Sequence, residues 1–393
     1  MWQPVPVARR VATALFLWPA LALGQQVPTL TLTHDLRIDA AAQDLSPIGW
    51  LVVARNGTII ASQPQDSRVA FFDAGGASLG TFGRNGEGPG EFRHPNPAGW
   101  LGDTLWVGDP STRRVTLISP DRELLRTIPW VTSITFDTAL ATPPQFFWVL
   151  PRALYADGSF LVDAMLAQDS PPMPSLGPAQ QGRPFVRIAS NGRFRRIAVS
   201  VPEGDCQVAY RSATVSGVFT IPFCASPLYD LATDGGRFAI ATAENAGERD
   251  AAYRVTIVRE RGDTAFNRTF RGTPVPIPRR ILDSVLTRSQ RPGPNRSPEE
   301  LAAWRTVKLP STFPPLNRIL LGRDESTWIE HYAFRGERTW TVLGATGTPI
   351  GRIVLPRNVR VEQASRDFIW ATETDEDGLQ HIVRYRVTGA RGP

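Results

Sequence analysis

Cysteine, histidine and lysine are all scarce in this chain of 393 residues. The two cysteines, Cys206 and Cys224, share one short region, with no Cys-x-x-Cys and no neighbouring histidine. That sets aside a zinc knuckle or a thioredoxin-type redox motif. In an exported chain such a pair is expected to form a disulfide; two free buried thiols are the other reading. The four histidines, His34, His94, His331 and His381, are isolated from one another in sequence. Each suits packing or a surface better than metal ligation, and His331 is the best candidate because it follows Glu330. Lys308 is the only lysine, so the net charge of +6 is carried by arginines, which are interleaved with acids along the chain. A nucleic-acid partner is not expected, because no basic block with spaced aromatics occurs. No Gly-x-Ser-x-Gly elbow is found, and the glycines after Phe82 lead into a strand pattern rather than a helix, so they are no phosphate loop.

Long apolar runs are missing as well, except near the start. Arg9-Arg10 is followed by an apolar stretch from Val11 to Leu23, and Ala22-Leu23-Gly24 supplies small residues for cleavage. Residues 1–24 are therefore expected to be a signal peptide with Gln25 as the mature start, and residues 25–393 a single domain. An uncleaved anchor helix is the competing reading, and the stretch is short for one. With no later segment able to span a bilayer, export to the periplasm or the extracellular space is expected, with no transmembrane segment after cleavage.

Proline (35) and glycine (33) are abundant and recur along the whole chain, beside 42% hydrophobic and 20% charged residues. That composition is globular and rich in turns. The turns punctuate a repeat. Residues 57–62, 68–73 and 78–82 form three β-rich runs, and residues 103–108, 114–119 and 124–128 form three more, with Arg68-Val69 and Arg114-Val115 in the same place. Looser copies pair 157–162 with 185–188 and 194–197, 235–240 with 253–258, 326–329 with 339–343, and 367–371 with 381–385. Each unit, with one preceding run, reads as a four-stranded antiparallel meander. A single meander cannot bury both faces, so six of them must stack, and radial stacking leaves few open edges. The expected fold is all-β: a six-bladed β-propeller, with 30–33 closing the ring on the last blade. A β-sandwich with a second domain is the alternative. Residues 169–184 read as a long loop. Around 277–308 a short helical insertion is expected, its second helix capped by Ser297 with Pro298 in the first turn and Glu300 three residues on.

The run Gly83-Arg84-Asn85-Gly86-Glu87-Gly88-Pro89-Gly90-Glu91-Phe92 resembles the linker between blades in NHL-repeat and related six-bladed, TolB-like propellers of the exported bacterial type. The following Leu105-Trp106-Val107-Gly108-Asp109 and Arg114-Val115 resemble that family's strand–Asp–turn–Arg–strand signature. The resemblance covers residues 50–130. It implies the fold, whereas the activities of its members range from protein and RNA binding to ring-opening hydrolysis and lyase chemistry.

Aligning the units places an acid at or just after the end of the second strand in five of them: Asp109, Asp163, Glu244, Glu330 and Glu373, with Gln63 in the first. Such a ring could hold a cation, calcium in the first instance, through oxygen ligands, or supply a general acid and base. Against this, Arg114, Arg187, Arg254, Arg338 and Arg384 stand on the facing strand, and simple cross-strand ion pairs account for the same pattern. Residues 373–378 resemble the start of a calcium loop, but Arg384 stands where the closing glutamate belongs, so a polar hairpin tip fits better. Two functions remain open. One is an exported binding or scaffold module for a protein, peptide or glycan, using Asp109, Asp163, Glu244, Glu330, His331 and Glu373. The other is a hydrolase or lyase with a cation in the central channel.

Overall fold

The computed structural model describes residues 27–137, 142–167, 170, 171, 173, 182–212, 215–244, 251–294 and 296–389. The expected signal segment and most of the stretch 169–184 lie outside the described residues.

Six four-stranded antiparallel sheets make the six blades, five joined in simple up-and-down order and the sixth completed by a strand from the start of the chain. The chain enters through β1 (Thr31–Ile38). Blade 1 is β2 (Leu51–Val53), β3 (Ile59–Gln63), β4 (Arg68–Phe72) and β5 (Ser78–Phe82). Blade 2 is β6 (Ala98–Leu101), β7 (Thr104–Asp109), β8 (Arg114–Ile118) and β9 (Leu124–Pro129). Blade 3 is β10 (Phe146–Leu154), β11 (Phe160–Leu166), β12 (Gly182–Ile188) and β13 (Phe194–Pro202). A separate hairpin follows, β14 (Gln207–Arg211) and β15 (Ser216–Thr220). Blade 4 is β16 (Leu228–Leu231), β17 (Arg237–Glu244), β18 (Ala251–Arg259) and β19 (Thr264–Gly272). Two helices, α1 (Arg279–Ser289) and α2 (Pro298–Thr306), precede blade 5. Blade 5 is β20 (Leu316–Leu321), β21 (Thr327–His331), β22 (Arg338–Leu343) and β23 (Pro349–Leu355). Blade 6 is β24 (Val359–Ala364), β25 (Phe368–Thr374) and β26 (Gln380–Thr388), completed by β1.

Burial explains why these runs are strands. The second and third strands of a blade face another blade on both sides, so their residues are apolar without alternation: every residue of β3 is buried, as are the last four of β4. The outermost strands keep one face in solvent, and β9 and β19 are mostly exposed and carry polar residues. The buried side chains fall into six clusters, and each lies between two successive blades. One of them joins blade 6 to blade 1, through Ile38, Trp370 and Ile382 against Leu51, Val53 and Ile59. That sixth interface is what makes the array a ring rather than an open stack.

The ring is sealed as expected. Strand β1 pairs antiparallel with β26, from Thr31 opposite Thr388 to Ile38 opposite Ile382. Just before it, Leu30 donates its N–H to the Arg352 carbonyl of blade 5 at 2.8 Å and buries its side chain against that blade. A Cβ at Gly351 would collide with the Leu30 side chain and push it out of its place.

In an antiparallel meander, the hairpins joining first to second and third to fourth strands emerge at one end of the blade. The second-to-third loops and the blade-to-blade linkers emerge at the other. We call these the hairpin end and the linker end. Both insertions are linkers. Ser297 caps α2 by accepting the Glu300 N–H at 3.1 Å, with Pro298 in the first turn. Trp304 of α2 stacks on Phe219 of the β14–β15 hairpin, with ring centroids 4.2 Å apart, so the two insertions form one side structure at the linker end. The Cys206–Cys224 disulfide forms and clamps the base of that hairpin, where Ile221 N–H also meets the Cys206 carbonyl at 2.7 Å.

Candidate functional site

The acids aligned in sequence each find their own protein donors. Asp109 is buried, and its carboxylate accepts four backbone N–H groups: Arg93 (2.6 Å) and His94 (3.0 Å) from the linker, Ser111 (2.9 Å) and Thr112 (3.1 Å) from its own turn. Its expected partner Arg114 instead reaches the Glu87 carbonyl. Asp109 thus ties the chain just after the 83–92 linker to the second blade. Asp163 is fully buried between Arg152 (3.0 Å) and Arg183 (2.5 Å). Arg187, expected opposite Asp163, turns to Asp157, Glu260 and the face of Tyr155.

Two of the expected cross-strand pairs form, Glu244 with Arg254 and Glu330 with Arg338 (3.3 Å). Glu373 pairs with Arg37 of β1 (2.5 Å), while Arg384 pairs with Asp35 (2.9 Å), because the added strand β1 brings its own charges to blade 6. His331 faces inward, bonded to the Thr341 hydroxyl at 2.8 Å; burial lowers its pKa. At residues 373–378 the chain makes a tight hairpin tip: Asp375 accepts the N–H groups of Asp377 and Leu379 and bonds His381 at 2.8 Å. Among the described residues, no three His, Cys, Asp or Glu side chains converge as ligands of one ion.

A cavity of about 580 Å³ opens at the hairpin end of the channel. Its walls come from the inner strands β2, β16, β20 and β24 and from the hairpins at 54–58, 102–103, 119–120, 232–236 and 322–323. The volume is that of a small-ligand site, and the walls mix apolar side chains with charged and polar groups.

Two contacts skip a blade to frame this mouth. The Trp100 N–H of blade 2 donates to the Thr233 carbonyl of blade 4 at 2.7 Å. The Arg323 Nη2 of blade 5 donates to the Ala54 carbonyl of blade 1 at 2.8 Å. Neighbouring blades are stitched here too. Asp230 Oδ2 accepts the Leu321 N–H (2.7 Å), Gln363 Oε1 accepts the Val53 N–H (2.8 Å), and Arg237 Nη2 donates to the Gly322 carbonyl (2.6 Å). Arg318 Nη1 donates to the Val361 carbonyl.

Inside the channel, Arg318 stands between two carboxylates, Asp230 and Glu362. Burial pushes both acids up in pKa, against the lowering pull of Arg318 on each. These residues escaped the sequence alignment of second-strand ends because they lie on first strands. A signal was present: Asp230, Arg318 and Glu362 are charges inside short apolar runs, and a charge on an innermost strand has only the channel to face.

No family model matches the chain, and no curated protein matches it. Solved structures with a similar course include a DUF4221 family member from Bacteroides vulgatus, at 10% identity and TM-score 0.46, covering 93% of this chain and 98% of that one. An inferred exported protein of Bacteroides fragilis follows at 12% identity and TM-score 0.44, with 92% and 96% covered. A streptogramin B lyase gives 9% identity and TM-score 0.37, with 92% and 98% covered. The propeller assignment rests on this chain's own six sheets and six interfaces.

Proposed function

We propose that this chain is an exported binding module that takes its ligand, the end of a peptide or glycan or a small molecule of similar chemistry, into the cavity at the hairpin end. The observation that carries the reading is the 580 Å³ cavity itself, whose walls combine the apolar side chains Phe71, Leu105 and Trp100 with guanidinium and carboxylate groups. Export is supported by the Cys206–Cys224 disulfide, which persists in an oxidising compartment. A kinship with NHL-repeat or TolB-like propellers rests on the 83–92 linker and on Asp109, which anchors Arg93 and His94 directly after it. The hydrolase or lyase alternative needs acids free to bind a cation or move a proton. The five aligned acids are instead engaged by arginines or backbone N–H groups, which favours the binding module.

The cavity is tested with Thr58→Trp, which places an indole at its wall. Peptides, uronic-acid oligosaccharides and small aromatic acids are screened for a rise in melting temperature. Those that stabilise the wild type should lose that effect in Thr58→Trp. Equal stabilisation of both proteins would place the site elsewhere.

A further inference from the structure

The charged groups around the cavity are not equivalent. A guanidinium carries five N–H donors in a planar fork. Arg237, Arg318 and Arg323 each give one bond to a backbone carbonyl of another blade, which fixes the side chain in place and leaves most of its donors uncommitted. The acids of the cavity also have neighbours of their own, and Asp230 and Glu362 flank Arg318. Asp230 accepts from Leu321 N–H, Asp234 from Gly236 N–H, and Glu362 from the Thr372 hydroxyl, with Arg360 beside it. Four arginines and four acids line the cavity, so it is near neutral overall; what it offers a ligand are the remaining N–H groups of Arg237, Arg318 and Arg323, which come from blades 4 and 5.

The facing wall differs in character. Blades 1 and 2 supply Phe71, Leu105 and the half-buried Trp100. A ligand that satisfies both walls has an acceptor-rich anion at one end and an apolar group at the other.

We propose that the cavity binds an oxyanion, carboxylate or phosphate, carried beside an apolar group: Arg237, Arg318 and Arg323 take the anion, and Trp100 with Phe71 the apolar part. The inference rests on the reading of the cavity as the ligand site and names what that site selects. Fork-shaped donors match the two oxygens of a carboxylate or phosphate in a way that a hydroxyl or amide cannot. A peptide C-terminus with an apolar last side chain and a free aryl acid share this chemistry.

Three probes with one apolar group decide it by calorimetry: N-acetylphenylalanine, its neutral amide, and phenyl phosphate. At least one anion should bind, and the amide should bind about tenfold more weakly or worse. Which anion binds more tightly separates carboxylate from phosphate. Anion binding should weaken as salt is raised in the wild type, which needs no variant. Arg323→Gln should cost about tenfold in anion affinity while leaving the amide unchanged. Arg55→Gln, at the exposed rim, should cost about twofold to threefold and is safe for folding. If amide and anion bind equally, with no salt effect and no loss in either variant, the anion site is refuted while the cavity remains a ligand site. If none of the three binds at about 10 mM, a ceiling far above ordinary ligand affinities, the reading of the cavity falls with it.

Discussion

The backbone N–H of Trp100 donates to the Thr233 carbonyl at 2.7 Å, joining blade 2 to blade 4 past the inner edge of blade 3. The blade 4 hairpin leans across the channel to make this contact, and Tyr155 of blade 3 supports it by donating its hydroxyl to the Gly235 carbonyl at 3.1 Å. The approach is so close that Gly99 is required: a Cβ there would press on the Thr233 carbonyl and on the Trp106 indole. Gly99→Ala should therefore cost about 1–3 kcal/mol by overpacking, read from urea unfolding, and should lower affinity for any cavity ligand by displacing Trp100. Wild-type stability in this variant would mean that the crossing hairpin yields freely.

Two of the aligned acids should respond very differently to removal. Asp163 is fully buried between two arginines, whereas Glu244 and Arg254 share a pair open to solvent. Asp163→Ala should cost about 2–3 kcal/mol, because two half-buried guanidiniums lose their acceptor. Glu244→Ala should cost less than about 1 kcal/mol. Comparable losses for the two would mean that burial is not what separates them.

The pair of raised carboxylates in the channel gives stability a defined pH dependence. Asp230 and Glu362 have folded-state pKa values above their ordinary ones, so in that interval the folded protein binds more protons than the unfolded chain. Their contribution opposes folding fully above the raised pKa values and is relieved as pH falls through them toward the ordinary carboxylate range. Asp230→Asn with Glu362→Gln should flatten this part of the stability profile, measured by denaturant midpoints across pH. A wild-type stability that rises with pH throughout this window, and is unchanged in the double variant, would contradict the assignment.

The fold was legible because its signals are local and repeated. Arg68-Val69 and Arg114-Val115 mark the same turn-to-strand junction in two blades, and the 30–33 run had no partner except the last blade. The site was less legible. Charge alignment along second strands found pairs such as Glu330–Arg338 but missed Asp163–Arg183 and Glu373–Arg37, since neither partner lies at the expected register. Tertiary approach decides such pairs. The cavity arginines were hidden for the same reason: Arg237 and Arg323 look like ordinary hairpin residues until neighbouring blades bring Gly322 and Ala54 beneath them.

Ring closure depends on a strand that arrives from the far end of the chain. Removing residues 1–36 should strip β26 of its partner and expose its edge, giving an aggregating protein, whereas removing 1–24 should leave folding intact. Leu30→Ala, made in the chain that starts at Gln25, should cost about 2–5 kcal/mol, because the leucine side chain fills the space over Gly351. Equal solubility and heat stability for both deletions would show that the ring is closed without β1.

Hydrogen–deuterium exchange with and without a saturating cavity ligand tests the central claim most directly, namely that binding takes place at the hairpin end. The account predicts slowed exchange in 54–58, 230–237 and 318–323, with 330–338 and 373–380 at the linker end unchanged. Protection confined to 330–338 and 373–380 would contradict it and return the binding site to the aligned acids.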